Sequence, residues 1–381
     1  MLNQSSLCIL CIMAVITSWI TVMQVSAEEE TLTEDVKTTG TVSGSDVLPA
    51  ALTNEAVALT GTELTYTDEQ GNHFTYEVNA EGNAIITGIT VSGAALTIPE
   101  AISDAPIIAV ANGSSCVVSN PTVTIRELTI NCNTVGVKAF SGLSIGTLVI
   151  GEDVKEFSIS NDGDYSFQFF YEQFAESHIE KLIFNAVEVT VGYYTGDSLH
   201  EFYGPFHEAN IGTVEIGSSV AKIPEILFQD AIMELETLEL QTEHIGAFAF
   251  SSKDISIGHL IIGENVKYLE EFSNSTNLFH YWEQFSSARI GTLTFLANEM
   301  DLAHLQPVGG SDNMYAPFRD AVIGSLEIGS NITRIPELFL CDASICIGEL
   351  TLTQSIIGAY AFSGKNISIG TLTFCLCVIK K

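Results

Sequence analysis

The chain is built from short apolar–polar alternations of the form Ile-x-x-Leu-x-Ile, each followed by polar residues and then a corner of small and aromatic residues. The stretch Ile145-Gly146-Thr147-Leu148-Val149-Ile150-Gly151 returns as Ile257-Gly258-His259-Leu260-Ile261-Ile262-Gly263, an offset of 257 − 145 = 112 residues. Inside that period the stems open at Ile145, Ile179, Ile211 and Leu235, then at Ile257, Ile290, Ile323 and Ile347, with Ile369 beginning another. The gaps are 34, 32, 24 and 22, followed by 33, 33, 24 and 22. Alternation with a period of two predicts strands, and recurrence at these lengths predicts a solenoid.

The array begins before residue 145. Ile125–Ile130 with Val135–Phe140 behind it matches Leu235–Leu240 with Ile245–Phe250, and again Ile347–Leu352 with Ile357–Phe362. Earlier still, the runs Phe74–Val78 and Ala84–Thr87 flank the turn Ala80-Glu81-Gly82-Asn83, which predicts a hairpin. Such a hairpin covers the otherwise open apolar end of the first turn. The expected organisation is therefore an acidic, Thr/Ser-rich linker over 28–58, a cap with the first turns over 59–124, and the solenoid over 125–381. Its super-repeats span 145–256 and 257–368, with an incomplete third from 369.

Residues 1–27 carry no charge and run apolar from Leu7 to Met23, ending in Val25-Ser26-Ala27 before Glu28. That pattern predicts a secretory signal cleaved before Glu28. The alternative is an uncleaved anchor, since no Lys or Arg stands near Met1. The apolar run is shorter than the roughly 20 residues of a spanning helix.

In each stem the first, fourth and sixth residues, such as Ile145, Leu148 and Ile150, are expected to point inward, joined by Val154 and a later Phe. One turn buries too little to fold alone, so stacking is obligatory. Gly146, Gly212, Gly258, Gly291, Gly324 and Gly348 are expected to turn the chain sharply into each strand. The outward positions are mainly Thr and Glu, including Thr213 with Glu215 and Thr237 with Glu239. They read as a soluble sheet surface.

The stem L-x-x-L-x-L, the following I-G-x-x-A-F, and the opening Phe74, Tyr76, Val78, Gly82, Ala84, Ile86, Thr87 and Gly88 together resemble the BspA-like leucine-rich-repeat surface proteins, over about Phe74 to Phe374. The fold expected is α/β leaning strongly to β, a leucine-rich-repeat solenoid. The resemblance implies a secreted or wall-associated protein of mucosal microbes that adheres to host glycoproteins or to other cells. The pattern departs in lacking the usual Cys or Asn after most A-F corners, and in lengthening two units of each period.

Composition narrows the function classes. Acidic residues outnumber basic ones 47 to 14 for a net charge of −33, which repels phosphate backbones and excludes nucleic acid as a partner. With 16% charged and 46% hydrophobic residues, the chain is nevertheless a folding one. Catalysis is not expected. Glu215 and Glu239 fall on successive turns at about the 5 Å separation of a retaining glycosidase pair, but an open sheet gives no environment to raise one pKa. His200-Glu201 and His207-Glu208 lack the i, i+4 His spacing of a zinc protease. Asn161-Asp162-Gly163-Asp164 lacks the spaced ligands of a calcium loop. No cofactor or metal is expected.

Export permits disulfides, and the candidates are Cys116 with Cys132, on neighbouring turns, and Cys341 with Cys346. The ligand is sought on the loops that lengthen the 32–34-residue units, because long loops carry function and aromatics dominate binding hot spots. The residues singled out are Asp162, Asp164, Tyr165, Tyr193, Tyr194, Asp197 and Tyr203 in the first period, and Tyr281, Trp282, Asp312 and Tyr315 in the second. Phe174, Phe206, Phe285 and Phe318 hold the corner position and are assigned to the core. The partner expected is a host or neighbouring-cell surface protein or glycan. Self-association through the C-terminal edge is a further expectation, and an architectural surface component is the alternative function.

Overall fold

The computed structural model describes residues 62–110, 115–161, 168–191, 201–273, 280–298, 300–302 and 314–374. Contacts divide the chain into Met1–Thr53 and Asn54–Lys381, and every described residue lies in the second unit.

The stems form one 11-stranded parallel sheet. In chain order its strands are Ala95–Ile98, Thr124–Ile130, Ser144–Ile150, His178–Phe184, Asn210–Ile216, Ile232–Leu240, Ile255–Ile262, Arg289–Phe295, Val322–Ile328, Ser344–Leu352 and Ile367–Phe374. Each strand lies beside the next stem in the sequence, as stacking requires. The register places like on like: Ile145 faces Ile125 and Ile179, and Leu148 faces Leu128 and Leu182. These inward residues are buried, with Leu148, Ile150 and Val154 all at 0% exposure.

A second face is made of two-residue strands. Thr134–Val135, Glu156–Phe157 and Thr190–Val191 run parallel, followed in a separate ladder by Lys222–Ile223, His244–Ile245, Tyr268–Leu269 and Asp301–Leu302, and then by Arg334–Ile335 with Ile356–Ile357. Between the faces, the corner aromatics stack into a column. Successive ring centroids from Phe140 through Phe174, Phe206, Phe228, Phe250 and Phe285 to Phe318 lie 5.8, 4.9, 5.3, 5.1, 5.3 and 5.0 Å apart. The core assignment of the four corner phenylalanines holds, for all are fully buried.

At the N-terminal end, Leu64–Thr67, His73–Val78 and Ala84–Thr90 form an antiparallel meander. Its last strand then runs parallel to Ala105–Val110, which joins the second face at Thr134–Val135. Buried Asn72 pins this end: its Nδ2 donates to Asp68 Oδ2 (2.8 Å) and the Ala95 carbonyl (2.9 Å), while its Oδ1 accepts from the amides of Ser92 (3.0 Å) and Gly93 (3.1 Å).

The expected strand-rich solenoid stands, with no helix among the described residues, and one expectation is corrected. Reversals at the corners are made by residues in the left-handed region, among them Lys138 (φ 55°), Ile226 (φ 52°) and Phe248 (φ 58°), and such residues break any helical run. The stem glycines do something other than turn the chain. Gly146, Gly212, Gly258, Gly291 and Gly324 sit inside strands without positive φ, and a Cβ on each would meet the backbone carbonyl oxygen of the turn below at 2.5–2.7 Å. They permit close backbone approach between stacked turns.

Candidate functional site

The described residues of the long units form a small third sheet once per period. In the first period Ser160–Asn161 pairs antiparallel with Gln168–Phe170, and the following unit adds Glu201–Tyr203 parallel to it. In the second, Phe272–Ser273, His280–Tyr281 and Met314–Tyr315 repeat the arrangement. Parallel addition aligns a pair of rings in each sheet. Phe170 stacks on Tyr203 with centroids 4.9 Å apart, and Tyr281 stacks on Tyr315 at 4.5 Å.

Each ring pair is flanked by a cation. Lys138 Nζ stands 5.9 Å from the Phe170 centroid and 3.0 Å from Glu172 Oε2. The Arg319 guanidinium lies 4.4 Å from the Tyr315 centroid and 3.1 Å from Glu283 Oε1. At the place of Arg319 the first period has His207, four residues after Tyr203 and edge-on to it at 4.6 Å. Burial raises the Glu283 carboxyl above its ordinary value despite the opposing pull of Arg319. Burial, reinforced by Tyr315 and Glu283, pushes the Tyr281 phenol up to about 12, so it stays neutral.

Beneath the rings lies a supporting layer. Tyr171, Val191 and Ile226 form a small core of their own, with Ile159 and Phe248 against it. Gln173 ties the first sheet to the body, its Nε2 donating to the Ser158 carbonyl at 2.7 Å. Gln284 does the same in the second through the Glu270 carbonyl at 2.8 Å.

The structure sorts the loop residues singled out from sequence. Tyr203 and Tyr315 are half-buried members of the ring pairs. Trp282 is a core residue at 0% exposure and Tyr281, stacked on Tyr315, is packed at 9%, so neither side chain is presented freely. Asp162, Asp164, Tyr165, Tyr193, Tyr194, Asp197 and Asp312 lie outside the described residues. Sequence reasoning missed Phe170, Lys138, His207 and Arg319. Aligning the long units at an offset of 281 − 170 = 111 would have found Phe170, because the first gap shortens from 34 to 33.

Cys116, Cys132, Cys341 and Cys346 all stand as free thiols in the structure, with neither candidate pair bridged. Cys132 points into the core and donates to the Thr134 carbonyl at 3.4 Å, and burial pushes its pKa up to about 12. Glu215 and Glu239 are not brought face to face either. Their strands pair only at Asn210↔Ile232 and Ile211↔Met233. Glu215 is held by Lys181 at 2.7 Å, and Glu239 accepts from Gln241 Nε2 at 2.7 Å. Among the described residues no group of three or more His, Cys, Asp or Glu could hold a metal ion, and no helix is long and apolar enough to cross a membrane.

Residues 203–305 match the family model for the BspA-type leucine-rich repeat region, in six copies. That segment is similar to BspA-type leucine-rich repeats. The match spans the boundary between the two periods, and the register of stems and corners continues the same repeat on both sides of it. No curated protein matches the chain. Solved structures similar to it include a leucine-rich cell surface protein of Faecalibacterium prausnitzii, 14% identical over 82% of this chain and 95% of that one, with a TM-score of 0.25. A leucine-rich-repeat protein of Bacteroides ovatus is 12% identical over 81% and 99%, TM-score 0.25. The pneumococcal vaccine antigen PcpA is 12% identical over 81% and 88%, TM-score 0.21.

Proposed function

We propose that this BspA-type repeat protein is exported, is displayed at the cell surface, and binds a protein or glycan on a host or neighbouring cell through the edge formed by its third sheets. One observation carries the reading: the same ring pair on the same small sheet is built in both periods, Phe170 with Tyr203 and Tyr281 with Tyr315, each beside a cationic side chain or histidine. Pure packing explains the buried Trp282 but does not require half-buried tyrosines at the rim. Two like sites on one rigid stack favour a repetitive partner, because the second contact forms at high effective concentration.

The test is the double variant Tyr203→Ala/Tyr315→Ala, titrated against an immobilised mucin-type glycoprotein alongside the native chain. Loss of two aromatic anchors is expected to weaken binding by about tenfold or more. Thermal unfolding is followed in parallel to show that the variant remains folded. Unchanged binding by a folded variant favours the architectural alternative, in which the third sheets only brace the stack.

A further inference from the structure

The long parallel sheet is not uniformly closed. Most neighbouring stems share six or seven residue pairs, as Ile255–Ile262 does with its two neighbours. Two junctions share only two: Asn210–Ile216 with Ile232–Leu240, and Val322–Ile328 with Ser344–Leu352. Both are the 24-residue steps of their period, and there the incoming strand starts two residues early and is nine residues long. At six other junctions the amide after the stem donates to the last carbonyl of the stem below, as Gly217 does to Phe184 (2.8 Å) and Gly263 to Leu240 (2.8 Å). Among the described residues no such bond reaches the Ile216 or Ile328 carbonyl, and the Thr353 amide turns instead to Gln354 Oε1 at 3.1 Å.

The opening changes what is exposed. The fourth and sixth stem residues are buried in the neighbouring strands, for example Leu182 and Phe184 at 0%. At the two open junctions the equivalents Val214 and Ile216, and Leu326 and Ile328, are only half-buried. At the closed end an exposed aliphatic stands beside each opening, Ile232 at 41% and Val322 at 53%. Around the first lie the exposed carboxylates Glu215, Glu234, Glu236 and Glu239, and around the second Glu327 and Glu349.

We infer that these two notches are strand-docking sites, each taking an extended segment of a partner polypeptide in which aliphatic residues alternate with lysine or arginine. The open ladder offers backbone hydrogen bonds, alternate side chains meet Val214/Ile216 or Leu326/Ile328, and the intervening cations meet the glutamates; this is strand addition with side-chain selection. A chain of net charge −33 favours a basic segment over a second copy of itself. The first notch, with four glutamates against two, binds the tighter. This site is separate from the ring-pair edge, and either can fail without the other.

The experiment titrates the full chain into fluorescein-labelled acetyl-Val-Lys-Val-Lys-Val-Lys-amide and follows anisotropy. Two classes of site are expected. Methylating alternate backbone nitrogens of the peptide is expected to cost about tenfold or more, from two or more lost hydrogen bonds. The variant Glu236→Gln/Glu239→Gln, both positions exposed, is expected to weaken the tighter site by about threefold to tenfold, the range for two surface charge pairs. It should leave the melting curve and mucin binding unchanged. Equal binding of the methylated peptide, indifference to the glutamine variant, or absence of binding overturns the assignment, as does light scattering that shows a second copy filling the notch.

Discussion

At the scale of single residues, the solenoid depends on where a side chain is absent as much as on where it is apolar. A Cβ at Gly291 would stand 2.5 Å from the Gly258 carbonyl oxygen, a backbone atom that can move only by shifting a whole turn. At Gly348 the same atom would meet nothing within 4 Å. Gly291→Ala is therefore expected to lower stability by about 1–3 kcal/mol as an overpacking change. Gly348→Ala should be neutral, or stabilising by up to about 1 kcal/mol through the unfolded chain. Urea unfolding of the two variants side by side checks this; equal effects would show that turn spacing adjusts freely. The inward Ile, Leu and Phe positions were legible in the sequence because a period of two has one reading when one face is buried. The role of the glycines was not. A glycine marks either a turn or a close approach, and only the neighbouring turn's carbonyl distinguishes them. The left-handed corners were equally hidden, since Lys138, Ile226 and Phe248 are not residues that announce a positive φ.

At the scale of elements, repeat spacing located the long units but not their content. The excess residues of the 32–34-residue units were read as loops, and part of each folds into the third sheets. Alternation over two or three residues is too short to separate a strand from a loop, and the pairing that makes it a strand is with another turn. Trp282 and Tyr281 were singled out as aromatics on a long insertion. Trp282 is buried in the main core, and Tyr281 is covered by its stacking on Tyr315. The C-terminal element carries a different exposure. Ile356, Ile357, Tyr360 and Leu372 are 55, 39, 57 and 43% exposed on the last described turns, beside the edge strand Ile367–Phe374. Among the described residues no strand covers its outer edge, and an apolar open edge invites association. Light scattering is expected to show an apparent mass that rises with concentration and falls in the variant Ile356→Lys/Leu372→Lys; a concentration-independent monomer would contradict it.

At the scale of the whole molecule, charge and burial act in the same direction with pH. Glu156, Asp230 and Glu283 all have carboxyls raised by burial, the last two against the pull of His207 and Arg319 respectively. A carboxyl whose folded pKa lies above its unfolded one contributes stability below the unfolded value and loses it as pH rises through the folded one. Acidification also reduces the self-repulsion of 47 acidic residues against 14 basic ones. Exposed pairs such as Lys181 with Glu215 weaken in acid but count for little. The melting temperature at pH 5 is therefore expected to exceed that at pH 8, and Glu283→Gln to reduce the difference; a lower melting temperature at pH 5 would reverse the sign.

The 112-residue period is the structural repeat, and on the proposed function also the binding unit: it carries one run of stems, one part of the phenylalanine column, one third sheet with its ring pair, and one open junction. Deletion of residues 257–368 joins Ser256 to Ile369 in the register that Ser368 already has with Ile369. Far-UV circular dichroism and thermal unfolding of that shortened chain, together with its binding to a mucin-type glycoprotein surface, test this most directly. The expected result is a cooperatively folded strand-rich protein that binds with the affinity of one site and has lost the avidity of two. A chain that fails to fold, or one that binds as tightly as the full-length protein, would contradict it.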